Sequence, residues 1–81
     1  LEIKNTVLQL QAQQAEQRAN AQKARTQLAQ AERELRRAAN LVEVNAVPRK
    51  RLEEAQTAVK VAEQDVASAE RQVALLDNQI K

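Results

Sequence analysis

The sequence predicts an all-α protein, a two-helix antiparallel coiled-coil hairpin. Three observations lead there. Apolar residues recur in alternating steps of three and four through both halves of the chain, which is the heptad signature of a coiled-coil seam. The chain has no glycine and a single proline, Pro48, placed between those halves. Its 16 alanines and 12 glutamines in 81 residues, with 13 Lys+Arg and 11 Asp+Glu, match the composition of long paired helices.

The elements follow in chain order. Leu1-Glu2-Ile3 alternates like the end of a strand, so residues 1–6 are expected to be a strand end or linker, with Asn5 or Thr6 capping the first helix through a side-chain oxygen. Helix one is expected over residues 7–44, about 57 Å at about 1.5 Å per residue. Its seam reads Val7, Leu10, Gln14, Gln17, Ala21, Ala24, Leu28, Ala31, Leu35, Ala38 and Val42. Gln14 and Gln17 make the base polar. Leu8, Ala12, Ala15 and Ala19 offer a displaced stripe there, which a stutter in the heptad phase would bring onto the seam.

Residues 45–48, Asn45-Ala46-Val47-Pro48, form the predicted turn at the hairpin tip. Asn tolerates the left-handed conformation that closes a helix, and Pro suits the start of the next one. Helix two is expected over residues 48–81, with the unbroken seam Leu52, Ala55, Val59, Ala62, Val66, Ala69, Val73, Leu76 and Ile80. Folding back at the turn pairs Val42 with Leu52, Ala38 with Ala55, Leu35 with Val59, Ala31 with Ala62, Leu28 with Val66, Ala24 with Ala69 and Ala21 with Val73. The residue numbers in each pair sum to 93 or 94, so one fold-back aligns both seams. A parallel dimer would have to carry Pro48 inside a continuous helix, at about 3 kcal/mol per chain.

The residue types that are missing exclude whole classes of function. Without Cys or His the usual zinc, haem and iron–sulfur sites cannot form, and Ser68 has no base to activate it. Without Gly there is no phosphate-cradling loop, and without aromatics no platform for stacking bases. An enzyme is therefore not expected, nor any cofactor or metal. No transmembrane segment or signal peptide is visible, which leaves a cytosolic protein or a segment of something larger.

Function in a polar rod is expected at its tip or along its flanks. Leu41, Val44 and Val47 are apolar, off the seam and near the turn. They either wrap the hairpin end or form an exposed contact site. Arg49-Lys50-Arg51 opens helix two, where the helix dipole disfavours cations, so the run is either simply solvated or faces a partner with acidic groups or carbonyls. Val61 and Leu75 lie off the seam of helix two, either as scattered surface residues or as a face for side-by-side packing of hairpins. Glu32 and Arg36, four apart, form a helix-supporting pair.

The stretch from Arg37 to Pro48 resembles the hairpin tip of HlyD-type membrane fusion proteins, the periplasmic adaptors of bacterial efflux pumps and type I secretion systems. Those tips carry Arg, then Leu four residues on, then Ser or Thr seven further, and a return helix of the form x-x-x-Leu-x-x-Ala. Arg37 and Leu41 match, as does Leu52-Glu53-Glu54-Ala55, while Pro48 stands at the Ser position and Asn45 where a Gly is usual. Leu1-Glu2-Ile3-Lys4-Asn5-Thr6 looks like the exit from a lipoyl-type half-motif, so the resemblance covers nearly the whole chain.

The resemblance implies a parent protein anchored at the inner membrane, projecting the hairpin into the periplasm. Tip residues Arg37, Leu41, Val44, Val47, Pro48 and Arg49 would meet a TolC-like outer-membrane channel. Neighbouring adaptor hairpins would pack alongside, and the inner-membrane transporter would be met by parts outside this chain. Two rivals stand beside it. One is a structural coiled-coil spacer. The other is a basic arm on nucleic acid, which the small net charge of +2 disfavours, so no nucleic acid is expected as a partner.

Overall fold

A computed structural model describes residues 2–80, with side chains described over residues 3–79. Two helices, α1 (Glu2–Glu43) and α2 (Arg49–Ile80), run antiparallel as a two-helix hairpin measuring 66 × 13 × 13 Å. Ala, Gln, Glu, Arg, Lys and Leu are all strong helix formers, and neither helix contains an internal Gly or Pro. Thr26 and Thr57, weaker formers, turn their hydroxyls back onto the carbonyls of Gln22 and Glu53, each at 3.1 Å.

Helix α1 starts at Glu2, not at the expected Val7. Residues 2–6 are helical, so the strand-end reading fails there and Asn5 and Thr6 sit inside the helix rather than capping it. Nothing in Glu2–Thr6 breaks a helix, and the alternation of three residues is too short to impose a strand. Leu1 and Lys81 lie outside the described residues.

Burial follows the predicted seam closely. From Leu10 to Val42 and from Leu52 to Leu76 every seam position is buried or half-buried. Off the seam only Ala29, Leu41, Val47 and Asp77 share that state among the described side chains. Among the described residues the four buried ones are all alanines, Ala21, Ala24, Ala38 and Ala62, and Ala21 is completely enclosed. Small residues at these layers let the helices approach closely, while Leu28, Leu35, Val59 and Val66 fill the layers between them.

Two expectations at the base are corrected. Leu8, Ala12, Ala15 and Ala19 are exposed while Gln14 and Gln17 are half-buried, so the heptad phase runs through without a stutter. The Gln14 amide donates to Asp77 Oδ1 across the pair, which gives a polar seam position a partner. Val7 is 41% exposed despite its seam position, because the layer that would face it falls beyond Ile80.

The rod has little interior. Its accessible surface is 6463 Å², against about 4,900 Å² for a compact folded chain of the same mass. Among the described residues no large side chain is fully buried. Stability therefore comes from a series of thin layers rather than from one core.

A candidate partner-binding tip

The turn is built by backbone geometry. Asn45 has φ 59°, the left-handed conformation expected for it. Its N–H donates to the Val42 carbonyl at 2.9 Å, and the Ala46 N–H donates to the Leu41 carbonyl at 2.8 Å. This bond pair is a Schellman closure, which satisfies two of the carbonyls that a helix end leaves open. Val44 N–H reaches the Asn40 carbonyl at 3.3 Å.

Pro48 stands immediately before α2. Its carbonyl accepts the Arg51 N–H at 3.0 Å, so it serves as the capping residue through its backbone alone. It offers no side-chain oxygen to the first N–H groups of the helix, which a Ser or Thr there would do.

The candidate tip residues divide between two surfaces. Arg37 and Leu41 border a shallow groove beside the Ala38–Ala55 layer, with Glu34, Arg51 and Glu54 around its rim. Val47, Pro48 and Arg49 belong to the end of the hairpin, together with Val42, Asn45, Ala46 and Leu52. Val44 falls one α-helical heptad after Arg37 and is 69% exposed. Leu41 and Val47 are half-buried, so they wrap the hairpin end, while Val44 is left to solvent.

Charge at the tip is only partly compensated. Arg37 Nη1 stands 3.5 Å from Glu34 Oε1, both well exposed, so this pair adds little stability. The expected Glu32–Arg36 pair does not form among the described residues, and Glu34–Arg37, three apart, takes the place of helix-supporting pair. Arg49, Lys50 and Arg51 make no described ion pair, and no acidic residue occupies the first turn of α2. No basic residue occupies the last turn of α1, where Glu43 sits instead. Both helix ends at the tip thus carry the charge sign that their own dipoles disfavour, at about 0.3–1 kcal/mol each.

The flanks below the tip differ. Val61 and Leu75 project from one stripe of α2, 51% and 58% exposed and about 21 Å apart at helical rise, so they are separate points rather than a continuous patch. The other flank holds the cross-helix ion pairs. Arg18 Nη2 lies 3.3 Å from Asp77 Oδ1, and Arg25 Nε lies 3.6 Å from Glu70 Oε1. Gln22 Oε1 accepts from Arg25 Nη1 at 3.0 Å and orients it.

Sequence reasoning does not single out Asp77, although a signal for it exists. Asp77 falls four residues after the seam residue Val73, on the flank where Arg18 arrives from the other helix. Among the described residues no group of three or more acidic side chains gathers to hold a metal ion, and no helix is long and apolar enough to cross a membrane. No family model, curated protein or solved structure matches the chain.

Proposed function

We propose that the chain is the coiled-coil hairpin of a HlyD-type periplasmic adaptor and docks by its tip on a TolC-like outer-membrane channel. The observation that carries this reading is the concentration of exposed or only partly compensated features at one end of a 66 Å rod. Leu41 and Arg37 border one groove there, Val44 is exposed, and three cations open α2 against its dipole. A partner presenting carbonyls or carboxylates and a small apolar contact would complement all of them. The parent protein would be anchored at the inner membrane, with this segment in the periplasm.

In the proposed mechanism the rod does no chemistry. It holds the tip at a fixed distance from the membrane-proximal parts, and the Schellman turn presents Leu41 and Arg37 in one orientation. Pro48 cannot donate a hydrogen bond where the family usually has a hydroxyl, so the docking contact would rest on Arg37, Leu41 and the cations. The test is Leu41→Asp in the full-length protein. Loss of efflux or secretion with normal expression is expected. Unchanged transport would leave the hairpin as a structural spacer, in which Arg37 and Leu41 are replaceable without losing any partner.

A further inference from the structure

We propose that the hairpin holds a second register, in which α1 is displaced toward the tip by one heptad relative to α2. The inference is independent of the docking function and rests on the layer pattern and the flank charges.

The seam repeats at one heptad over its upper half. A displacement of seven residues, about 10 Å along the axis, brings Leu35 opposite Leu52, Ala31 opposite Ala55, Leu28 opposite Val59, Ala24 opposite Ala62 and Ala21 opposite Val66. Two small-on-small layers form again, Ala31–Ala55 and Ala24–Ala62, and the layers beside them pair Leu with Leu or Val, or Ala with Val. Gln17 and Gln14 come opposite Ala69 and Val73, so the two polar layers move one heptad along α2. Two layers at the tip, Val42–Leu52 and Ala38–Ala55, are lost. Two are gained at the base, where Leu10 comes opposite Leu76 and Val7 is brought within reach of α2. Val7 is one of the exposed apolar residues of the observed register, and the displacement carries it toward cover.

The charged flank repeats in the same way. On α2, acids stand at Glu63, Glu70 and Asp77, seven apart. In the observed register Arg18 meets Asp77 and Arg25 meets Glu70. The same stagger sets Glu32 level with Glu63, two like charges. After displacement Arg18 meets Glu70, Arg25 meets Glu63, and Glu32 comes level with the neutral Gln56. Both attractive pairs are kept and the repulsive one is removed. Gln14, which donates to Asp77, then finds Glu70 in the equivalent place.

The tip is what holds the observed register. The displaced register breaks the Asn45–Val42 and Ala46–Leu41 hydrogen bonds and lengthens the four-residue turn to roughly ten residues. Each doubling of a loop costs about threefold in the closure equilibrium, and the helical bonds of about the last two turns of α1 are lost as well. The observed register is therefore the major one. Its competitor releases Leu41 and Val42 from α1 into the loop that already holds Val44, which links the position of the base to the conformation of the tip.

Disulfide trapping tests this in the full 81-residue chain, which has no cysteine of its own. Ala24→Cys with Ala69→Cys reports the observed register, and Ala24→Cys with Ala62→Cys the displaced one. Both pairs lie mid-rod, beyond the reach of fraying ends, and an added axial offset of about 10 Å forbids the second bond in the observed register. The first pair is expected to close fully within the monomer and the second to a smaller yield. Asp77→Lys opposes Arg18 only in the observed register and should raise the second yield roughly two- to fivefold. Glu32→Lys attracts Glu63 only in the observed register and should lower it by a similar factor. Absence of any disulfide-closed monomer from the second pair, while the first pair closes, overturns the proposal. A second-pair yield that neither charge change moves overturns it as well. If circular dichroism shows that Asp77→Lys does not fold, Glu32→Lys alone decides.

Discussion

Arg25 on α1 reaches Glu70 on α2 at 3.6 Å, one heptad closer to the tip than Arg18 and Asp77 at 3.3 Å. The two contacts share one stagger along the rod. Their side chains are about half exposed, so each pair adds little stability. A double-mutant cycle on Arg25→Ala and Glu70→Ala should give a coupling of about 0.2–1 kcal/mol at low salt. It should shrink toward zero in 1 M salt, where the Debye length falls to about 3 Å. Coupling that persists in high salt would mean that the pair is shielded from solvent.

Ala21 is completely enclosed, so its layer has no room to grow. Ala21→Leu should force the helices apart and lower stability by about 1–3 kcal/mol. Ala19→Leu, at an exposed position, should change it by less than about 0.5 kcal/mol. Thermal unfolding followed at 222 nm compares the two, and equal effects would contradict the close approach of the helices at this layer.

The left-handed Asn45 predicts opposite outcomes for two replacements. Asn45→Gly should raise stability by a few tenths of a kcal/mol, because glycine adopts positive φ freely. Asn45→Val should lower it by about 1–2 kcal/mol, since a β-branched side chain clashes there. In a chain of this length about 1 kcal/mol corresponds to a melting shift of about 4–8 °C.

Gln14 and Gln17 both occupy seam positions but differ in what they touch. Gln17→Leu should stabilise the base by about 1 kcal/mol, by adding apolar contact against the Leu76 layer. Gln14→Leu should gain less, because it strips Asp77 of the amide that donates to it. Denaturant midpoints of the two variants check the order, and a larger gain for Gln14→Leu would remove the role given to that hydrogen bond.

Most of the fold is legible in the sequence because heptads state burial directly. Ala21, Ala24, Ala38 and Ala62 are seam positions in the sequence and are the buried residues of the structure. Asn45 and Pro48 announce the turn, since no other residue in a glycine-free chain suits a left-handed closure or the entry to a helix so well. The base is harder to read. Whether Gln14 and Gln17 or the stripe from Leu8 to Ala19 faces α2 depends on a partner from the other helix, and Asp77 is 63 residues away in sequence. The start of α1 is misread when three alternating residues outweigh the absence of any breaker. Leu41, Val44 and Val47 are legible as off-seam apolar positions, and Arg37 and Arg49 as charges near the turn. Their division into a flank groove and an end surface depends on the three-dimensional course of residues 44–48.

The tight Schellman turn also sets an order of events in time. The layers nearest it, Val42 with Leu52 and then Ala38 with Ala55, close the shortest loops, and each layer further down must close a longer one. Folding should therefore nucleate at the tip and zip toward the base, with the ordering cost met at the first layers. Substitutions at Asn45 should act mainly on the folding rate, and those at Gln17 or Leu76 mainly on the unfolding rate. A hairpin of this kind opens from its base, and the end proposed to meet a partner is the last part to come apart.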